Sequence, residues 1–440
     1  MSVFIGYPSF MAYQMMKGKK GNNDGFPSIP GMIARYSALG LTNEQMAANP
    51  VWKDLTGNDH DLQMKNFAWK EGSGISDVYP GFILGDGVDD FAVTEKELNF
   101  EDTYTVYTAF IPFQVDPVRA MEMCGKDFKK DFYLYYSNSH IVYYTSGLNN
   151  YISVRINQFH IIVCKRNKTN AVIKNLITGE SKTFSVSELI DNPGVYYLWR
   201  YQRSGTSTAK SAIAGQTICN GYFSTDEDDE KVLDWYKKQY PWLFPDQAWT
   251  VTGKTNEDED RATIANITGN GNNLVLSNFG FAEGSGYNEE GEYAGYLVTD
   301  GVDDTGRAVG LTISKDFTLV GEWILFSKTS VNAGLAIHPQ IHIFNRPEAI
   351  QIRFRTVDKT LPVKSLKAIC SDGRCYDENW SELKINVGEF TNNKGTLFVA
   401  SNGTNYVQIA FKNLGIYNDQ LLSKEDCIKA YNYLQTLKAK

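Results

Sequence analysis

Asp86-Gly87-Val88-Asp89-Asp90 returns unchanged as Asp300-Gly301-Val302-Asp303-Asp304. Upstream of this pair the correspondence continues. Glu71-Gly-Ser-Gly74 matches Glu283-Gly-Ser-Gly286, and Leu62 to Trp69 aligns with Leu274 to Phe281 through Asn66-Phe67 and Asn278-Phe279. Leu55-Thr-Gly-Asn58 matches Ile267-Thr-Gly-Asn270, and Gly40-Leu-Thr-Asn43 matches Gly253-Lys-Thr-Asn256. The five matches keep their order at an offset of 212 to 214 residues. A repeat this long is a duplicated globular domain rather than a solenoid unit. The copies also end alike. Gly221-Tyr-Phe223 leads into Asp226–Glu230 and an apolar run, and Gly415-Ile-Tyr417 leads into Ser423–Asp426 and another. Acidic residues before apolar positions at helical spacing predict a short closing helix in each copy.

Between these ends the sequence reads as short β-branched and aromatic runs bounded by Gly, Asn, Asp and Ser. Examples are Phe132–Tyr136, Ile141–Tyr144, Tyr151–Ile156, Ile350–Phe354 and Tyr406–Phe411. Such runs predict strands packed as a two-sheet sandwich. The chain of 440 residues exceeds what one hydrophobic core usually supports. The expected fold is therefore all-β: two tandem jelly-roll sandwiches, at 33–240 and 248–440. The stretch 241–247, apolar residues between Pro241 and Pro245, is expected to be a stiff and partly buried linker. Residues 1–32 have no counterpart in the second copy. Their Phe4, Ile5, Tyr7, Phe10, Met11 and Tyr13 are too few to bury one another, so the segment is expected to be an extended attachment or oligomerisation arm outside both sandwiches.

The net charge of −8, without a Lys/Arg stripe, argues against nucleic acid as a partner. No apolar run reaches the length of a membrane span. The first residues lack the basic start of a secretory leader, which implies synthesis in a cytoplasm without a signal peptide. The six cysteines match no zinc spacing and are read mainly as buried thiols. Cys370 and Cys375 flank Ser-Asp-Gly-Arg and are close enough in sequence to face each other as a disulfide across a hairpin. His338 and His342 lie in a β-rich stretch, so their spacing gives no shared helix face.

Trp52-Lys-Asp-Leu-Thr-Gly-Asn58, the Asp-Gly-Val-Asp-Asp pentapeptide and the Tyr417-Asn418 to Ile428 ending together resemble the laminin-G-like, concanavalin A-like jelly rolls. The likeness covers nearly all of both copies. A narrower one, carried by Thr255–Thr263, Thr268–Gly271 and Asn278–Tyr287, is to virion proteins of tailed phages of gut Bacteroidales, including the crAss-like group. Copy one departs from that pattern at Gln45–Asn49 and at Ile75. The resemblance implies a fibre or decoration component, located in the virion, a homo-oligomer joined to other capsid or tail proteins through the arm. It also implies display of lectin-like domains toward host surface polysaccharide.

Trp69, Tyr133, Tyr135 and Tyr143 are the candidate sugar-stacking residues, because aromatic faces pack on the apolar faces of sugar rings. Asp86, Asp89 and Asp90, with Asp300, Asp303 and Asp304, are candidate calcium ligands, because a hard cation needs several oxygens. The same residues also read as turn formers. Glucanases of this fold carry paired carboxylates on one strand, and no such strand is found, so no enzymatic activity is expected. The alternatives are a bacterial carbohydrate-binding surface protein, which would need an export signal, and a glycan-cleaving enzyme, which would need that carboxylate pair.

Overall fold

The computed structural model describes residues 24–113, 119–124, 132–137, 139–145, 148–187, 194–200, 209–326, 334–338, 340–346, 349–354, 357–363, 365–401 and 405–439. The chain divides into two units, 1–239 and 240–440. The described residues of both are antiparallel β-sandwiches.

In unit one, one sheet runs Ser181–Ser185, Asn170–Asn175, His160–Asn167, Tyr104–Pro112, Lys210–Asn220, Ile83–Asp86 and Gly74–Ile75, with Met32–Ser37 also pairing to Lys210–Asn220. The other runs Leu148–Ser153, His140–Thr145, Phe132–Ser137, Arg119–Cys124, Tyr196–Leu198, Phe91–Thr94, Leu62–Lys65 and Val51–Trp52. Residues that alternate along both sheets meet in one core. Val106, Phe110, Ile162, Ile173 and Ile218 come from the first sheet, and Leu62, Phe132, Leu134, Ile141 and Ile152 from the second. Trp199 closes this core and donates its indole N–H to the Ser211 carbonyl at 3.1 Å.

Unit two repeats the same strand order. Gly286–Asn288, Tyr296–Val298, Ile409–Asn418, Phe317–Leu325, Leu366–Cys370, Arg374–Asp377 and Glu382–Lys384 form one sheet, with Gln247–Thr250 on Ile409–Asn418. Thr263–Ile264, Leu274–Ser277, Thr305–Ile313, Asn393–Val399, Gly334–His338, Ile341–Arg346, Ala349–Phe354 and Val357–Leu361 form the other. The all-β expectation, two sandwiches each closed by a short helix, is met.

Three helices are described. α1 (Asn43–Ala48) begins at a capping box, with Thr42 accepting from the Gln45 N–H while the Gln45 side chain accepts from the Thr42 N–H. α2 (Asp226–Gln239) closes unit one and α3 (Lys424–Thr436) closes unit two. The acidic run Asp226–Glu230 forms the first turn of α2, and within it Asp228 and Asp229 are buried. Asp229 accepts from Tyr107 Oη at 2.9 Å and Lys165 Nζ at 2.8 Å, and Lys174 Nζ lies at 3.2 Å. These bonds tie the first turn of α2 to the sheet.

The expected domain boundaries shift at both ends. Residues 1–23, with Phe4, Ile5, Tyr7, Phe10, Met11 and Tyr13, lie outside the described residues. Asp24–Ile29, placed in the arm by sequence, pack on unit one. Asp24 pairs with Arg35, Phe26 sits edge-on to Trp235 at 5.0 Å, and the Trp235 indole N–H reaches the Asp24 carbonyl. The 241–247 stretch is part of unit two rather than a linker. Trp242 and Leu243 are buried, Tyr417 Oη donates to the Trp242 carbonyl at 3.0 Å, and the Asn418 N–H donates to Asp246 at 2.7 Å.

Replacing Asp229 with alanine leaves Lys165 buried without its carboxylate. The expected loss is about 3–5 kcal/mol of unit-one stability. Urea denaturation followed by hydrogen exchange should show deprotection of α2 and its sheet, with unit-two peptides unchanged. A loss below about 1 kcal/mol, or equal loosening of both units, would contradict the anchoring role.

Candidate functional site

The repeated pentapeptide is the corner where the chain crosses between sheets. Ile83–Asp86 lies in the first sheet of unit one and Phe91–Thr94 in the second. Asp86 Oδ1 accepts the Val88 N–H at 2.7 Å and the Asp89 N–H at 3.3 Å, while Gly87 takes a left-handed φ of 77°. The buried Asp90 Oδ2 accepts the Asp86 N–H at 3.0 Å, and Asn66 Nδ2 donates to the Asp89 carbonyl at 3.0 Å.

Unit two repeats these bonds. Val302 N–H donates to Asp300 Oδ1 at 2.7 Å, Asp300 N–H to Asp304 Oδ2 at 2.8 Å, and Asn278 Nδ2 to the Asp303 carbonyl at 3.0 Å. A second clamp lies beside each corner. Asn43 brackets the backbone of Ile75 through its N–H and carbonyl, and Asn256 does the same to Tyr287. A Cβ on Gly74 would meet Asn43 Oδ1 at 2.5 Å, and one on Gly286 would collide with Asn256 in the same way, so only glycine fits.

Carboxylate oxygens of Asp86, Asp89 and Asp90, and of Asp300, Asp303 and Asp304, approach within 4.8 Å of one another, close enough to share one hard cation. The turn itself, however, already uses them: Asp86 and Asp300 accept backbone N–H groups, as do Asp90 and Asp304, and Asp304 Oδ1 also accepts from Ser285 Oγ at 3.1 Å. Burial pushes the Asp90 carboxyl up to about 6, with smaller contributions from the charges of Asp86 and Asp89. Burial likewise raises Asp304.

The aromatic candidates separate. Tyr143 points into the core, where its hydroxyl lies 2.6 Å from that of Tyr104. It is a core residue, which corrects its reading as a ligand contact. Trp69 has a left-handed φ of 52° and stacks on Phe67 at 5.1 Å, beyond the Leu62–Lys65 strand; Phe281, at the matching position, has a φ of 49°. It packs against the core and lies several strands from the tyrosines.

Tyr133 and Tyr135 lie together on the outer face of the second sheet, stacked at 4.8 Å. Tyr133 is nearly buried and Tyr135 half-buried. Three residues not singled out from sequence join them. Tyr144 lies opposite Tyr133, Asn149 accepts from Tyr135 Oη at 3.1 Å, and Tyr151, 50% exposed, packs on His140 at 4.8 Å with Lys182 Nζ 4.5 Å from its ring. The signal for them is the period of two along the 140–145 and 148–153 strands. It places His140, Val142 and Tyr144 with Asn149 and Tyr151 once the phase is known.

The common strand order and hairpin registers give the unit-two counterparts. His342 and Phe344 stand for Tyr133 and Tyr135, Arg353 for Tyr144, Asp358 for Asn149 and Thr360 for Tyr151. There, Arg353 lies over the Phe344 ring at 5.1 Å and is held by Asp358 through two bonds, at 2.6 and 3.0 Å. The tyrosine face therefore belongs to unit one alone.

No protein-family model and no curated protein matches the sequence. Among solved structures, the chain is similar to the Trypanosoma rangeli sialidase in complex with sialic acid, with 10% identity and a TM-score of 0.37, over 52% of this chain and 38% of the sialidase. It is also similar to domain 4 of the extracellular arabinanase AbnA of Geobacillus stearothermophilus in complex with arabinotriose, with 16% identity and a TM-score of 0.32, over 47% of this chain and 99% of that domain. An α-L-arabinofuranosidase aligns with 10% identity and a TM-score of 0.34, over 59% of this chain and 68% of its own. The chain thus spans little more than a third of the sialidase. None of these likenesses bears on the ligand or chemistry of this chain. No helix among the described residues is long and apolar enough to cross a membrane.

Asp90 folds more readily as the neutral acid. Its folded pKa lies above its unfolded one, so its contribution to stability is whole below pH about 3.8 and is lost as pH rises through about 6. Asp90→Asn removes that titration. The Tm advantage of the variant over the parent should widen by roughly 5–10 °C between pH 4 and pH 7 and stay level above. A difference independent of pH, or one that shrinks as pH rises, would show that Asp90 is held as the anion.

Proposed function

We propose that this chain is a non-enzymatic display component of a tailed-phage particle, a fibre or decoration, whose first sandwich holds host surface glycan against the Tyr135–Tyr151 face. The carrying observation is the tyrosine ladder on the outer face of one unit and its replacement in the other by Phe344 and the Arg353–Asp358 pair. A tyrosine ring offers a rigid apolar face to a sugar ring and a hydroxyl to its rim. Asn149 and Lys182 place further polar groups beside those rings.

The carboxylates that drew attention in the sequence are used as acceptors in the two corners, which favours binding over glycosidic cleavage. The resemblance to phage virion proteins supplies the setting. In this reading the 1–23 segment joins the chain to other capsid or tail proteins, or to further copies of itself.

The test is binding of the purified chain to capsular polysaccharides of gut Bacteroidales. Tyr135→Ala with Tyr151→Ala should weaken binding by about 10-fold or more with an unchanged circular dichroism spectrum. Thr360→Ala, at the Tyr151 counterpart, should leave affinity unchanged, and no reducing ends should accumulate. Equal binding by the tyrosine variant, or reducing ends lost on mutating a single carboxylate, would overturn the proposal.

A further inference from the structure

The closing helices of the two units are fastened to their sheets at matching positions by different chemistry. In unit one, Thr105 Oγ1 donates to the Tyr222 carbonyl and accepts from the Ser224 N–H. In unit two, Thr318 Oγ1 donates to the Gln420 carbonyl and accepts from the Leu422 N–H. Across the strands Thr105 faces Lys165 and Thr318 faces Cys370.

The helix starts match as well. The Asp229 N–H donates to the Thr225 carbonyl at 3.1 Å, and the Cys427 N–H to the Ser423 carbonyl at 2.9 Å. The residue before each, Asp228 or Asp426, bonds the capping hydroxyl of Thr225 or Ser423. Lys165 therefore corresponds to Cys370, and Asp229 to Cys427. Where unit one carries a buried ion pair at 2.8 Å, unit two carries two buried thiols set against the same Gln420–Leu422 segment, Cys370 through Thr318 and Cys427 through the Leu422 carbonyl.

We propose that Cys370 and Cys427 are a disulfide-forming pair that covalently closes α3 onto its sheet under oxidising conditions. Cys375, the partner suggested by sequence spacing, cannot take this role. It lies opposite Ile369 with its side chain in the sandwich core, whereas Cys370, the next residue along that strand, points to the other face toward α3. Thr318 Oγ1 lies 3.8 Å from Cys370 Sγ, and Cys427 Sγ lies 4.0 Å from the Leu422 carbonyl, so one short segment frames both sulfurs.

The two thiols differ in acidity. The hydrogen bond from Cys427 lowers Cys370, with the Arg374 guanidinium adding to the effect, while that bond and burial raise Cys427. Cys370 is the nucleophile and Cys427 the resolving thiol. With hydrogen peroxide as oxidant, the Cys370 thiolate attacks one oxygen, the O–O bond breaks and hydroxide leaves, giving a sulfenic acid. The Cys427 thiol then attacks that sulfur, forms the S–S bond and releases water. The two thiols yield two electrons and two protons in total, and the peroxide is reduced to two waters. In a reducing compartment the pair stays open; in an oxidising one it locks the end of the chain.

The experiment treats the full chain with hydrogen peroxide in urea below the unfolding transition, so that α3 opens locally. Remaining thiols are then alkylated after denaturation, and peptides are mapped without reduction. A Cys370–Cys427 linked peptide is expected, with a rise in the Tm of unit two of about 5–10 °C that reductant reverses. Cys375→Ser should keep the linkage and the rise. Cys427→Ser should fold, lose both, and accumulate sulfinic acid on Cys370. Linkage through Cys375, both thiols surviving oxidant, or a linkage that leaves Tm unchanged would overturn the proposal.

Discussion

A sandwich must carry its chain from one sheet to the other without abandoning polar backbone groups in the core. In each unit this is achieved by a buried carboxylate, Asp90 or Asp304, accepting the N–H of the aspartate that opens the corner. The opening aspartate in turn accepts the N–H groups at the tip, and glycine supplies the left-handed step between them. The neighbouring hairpin hangs on the same corner through Asn66 or Asn278. Each hydrogen bond dictates a residue type, which is why the motif has kept its identity while most of the intervening sequence has not.

Away from these corners the frame tolerates exchange, and the two units differ there. The helix anchor is an ion pair in one and a thiol pair in the other. The outer face of the second sheet is a tyrosine ladder in one and a phenylalanine locked under an arginine–aspartate pair in the other. The entry segment is a capped helix in unit one, whereas in unit two Thr255 and Asp258 bond each other in a turn.

The repeat and the fold class were legible because turn chemistry is written in residue identity. The side-chain phase was harder to read. Tyr143 and Tyr144 are adjacent aromatics, and alternation alone does not say which one faces inward; pairing with Leu134 decides it. Cys370 and Cys375 looked like cross-strand partners, but the register sets Cys375 opposite Ile369 instead. Asp226–Glu230 marked a helix start, but nothing in the run singled out Asp229 as an anchor, since its partner Lys165 is remote in sequence. The apolar residues between Pro241 and Pro245 correctly signalled burial, but composition does not say which unit they join.

The two copies of one frame have diverged, and in the proposed function glycan recognition belongs to the first. Hydrogen exchange of the full chain with and without saturating capsular polysaccharide tests it most directly. Added protection is expected along 132–137, 140–145 and 148–153, and none along 341–346, 349–354 and 357–361. Protection shared equally by both sets of strands, or confined to neither, would contradict it.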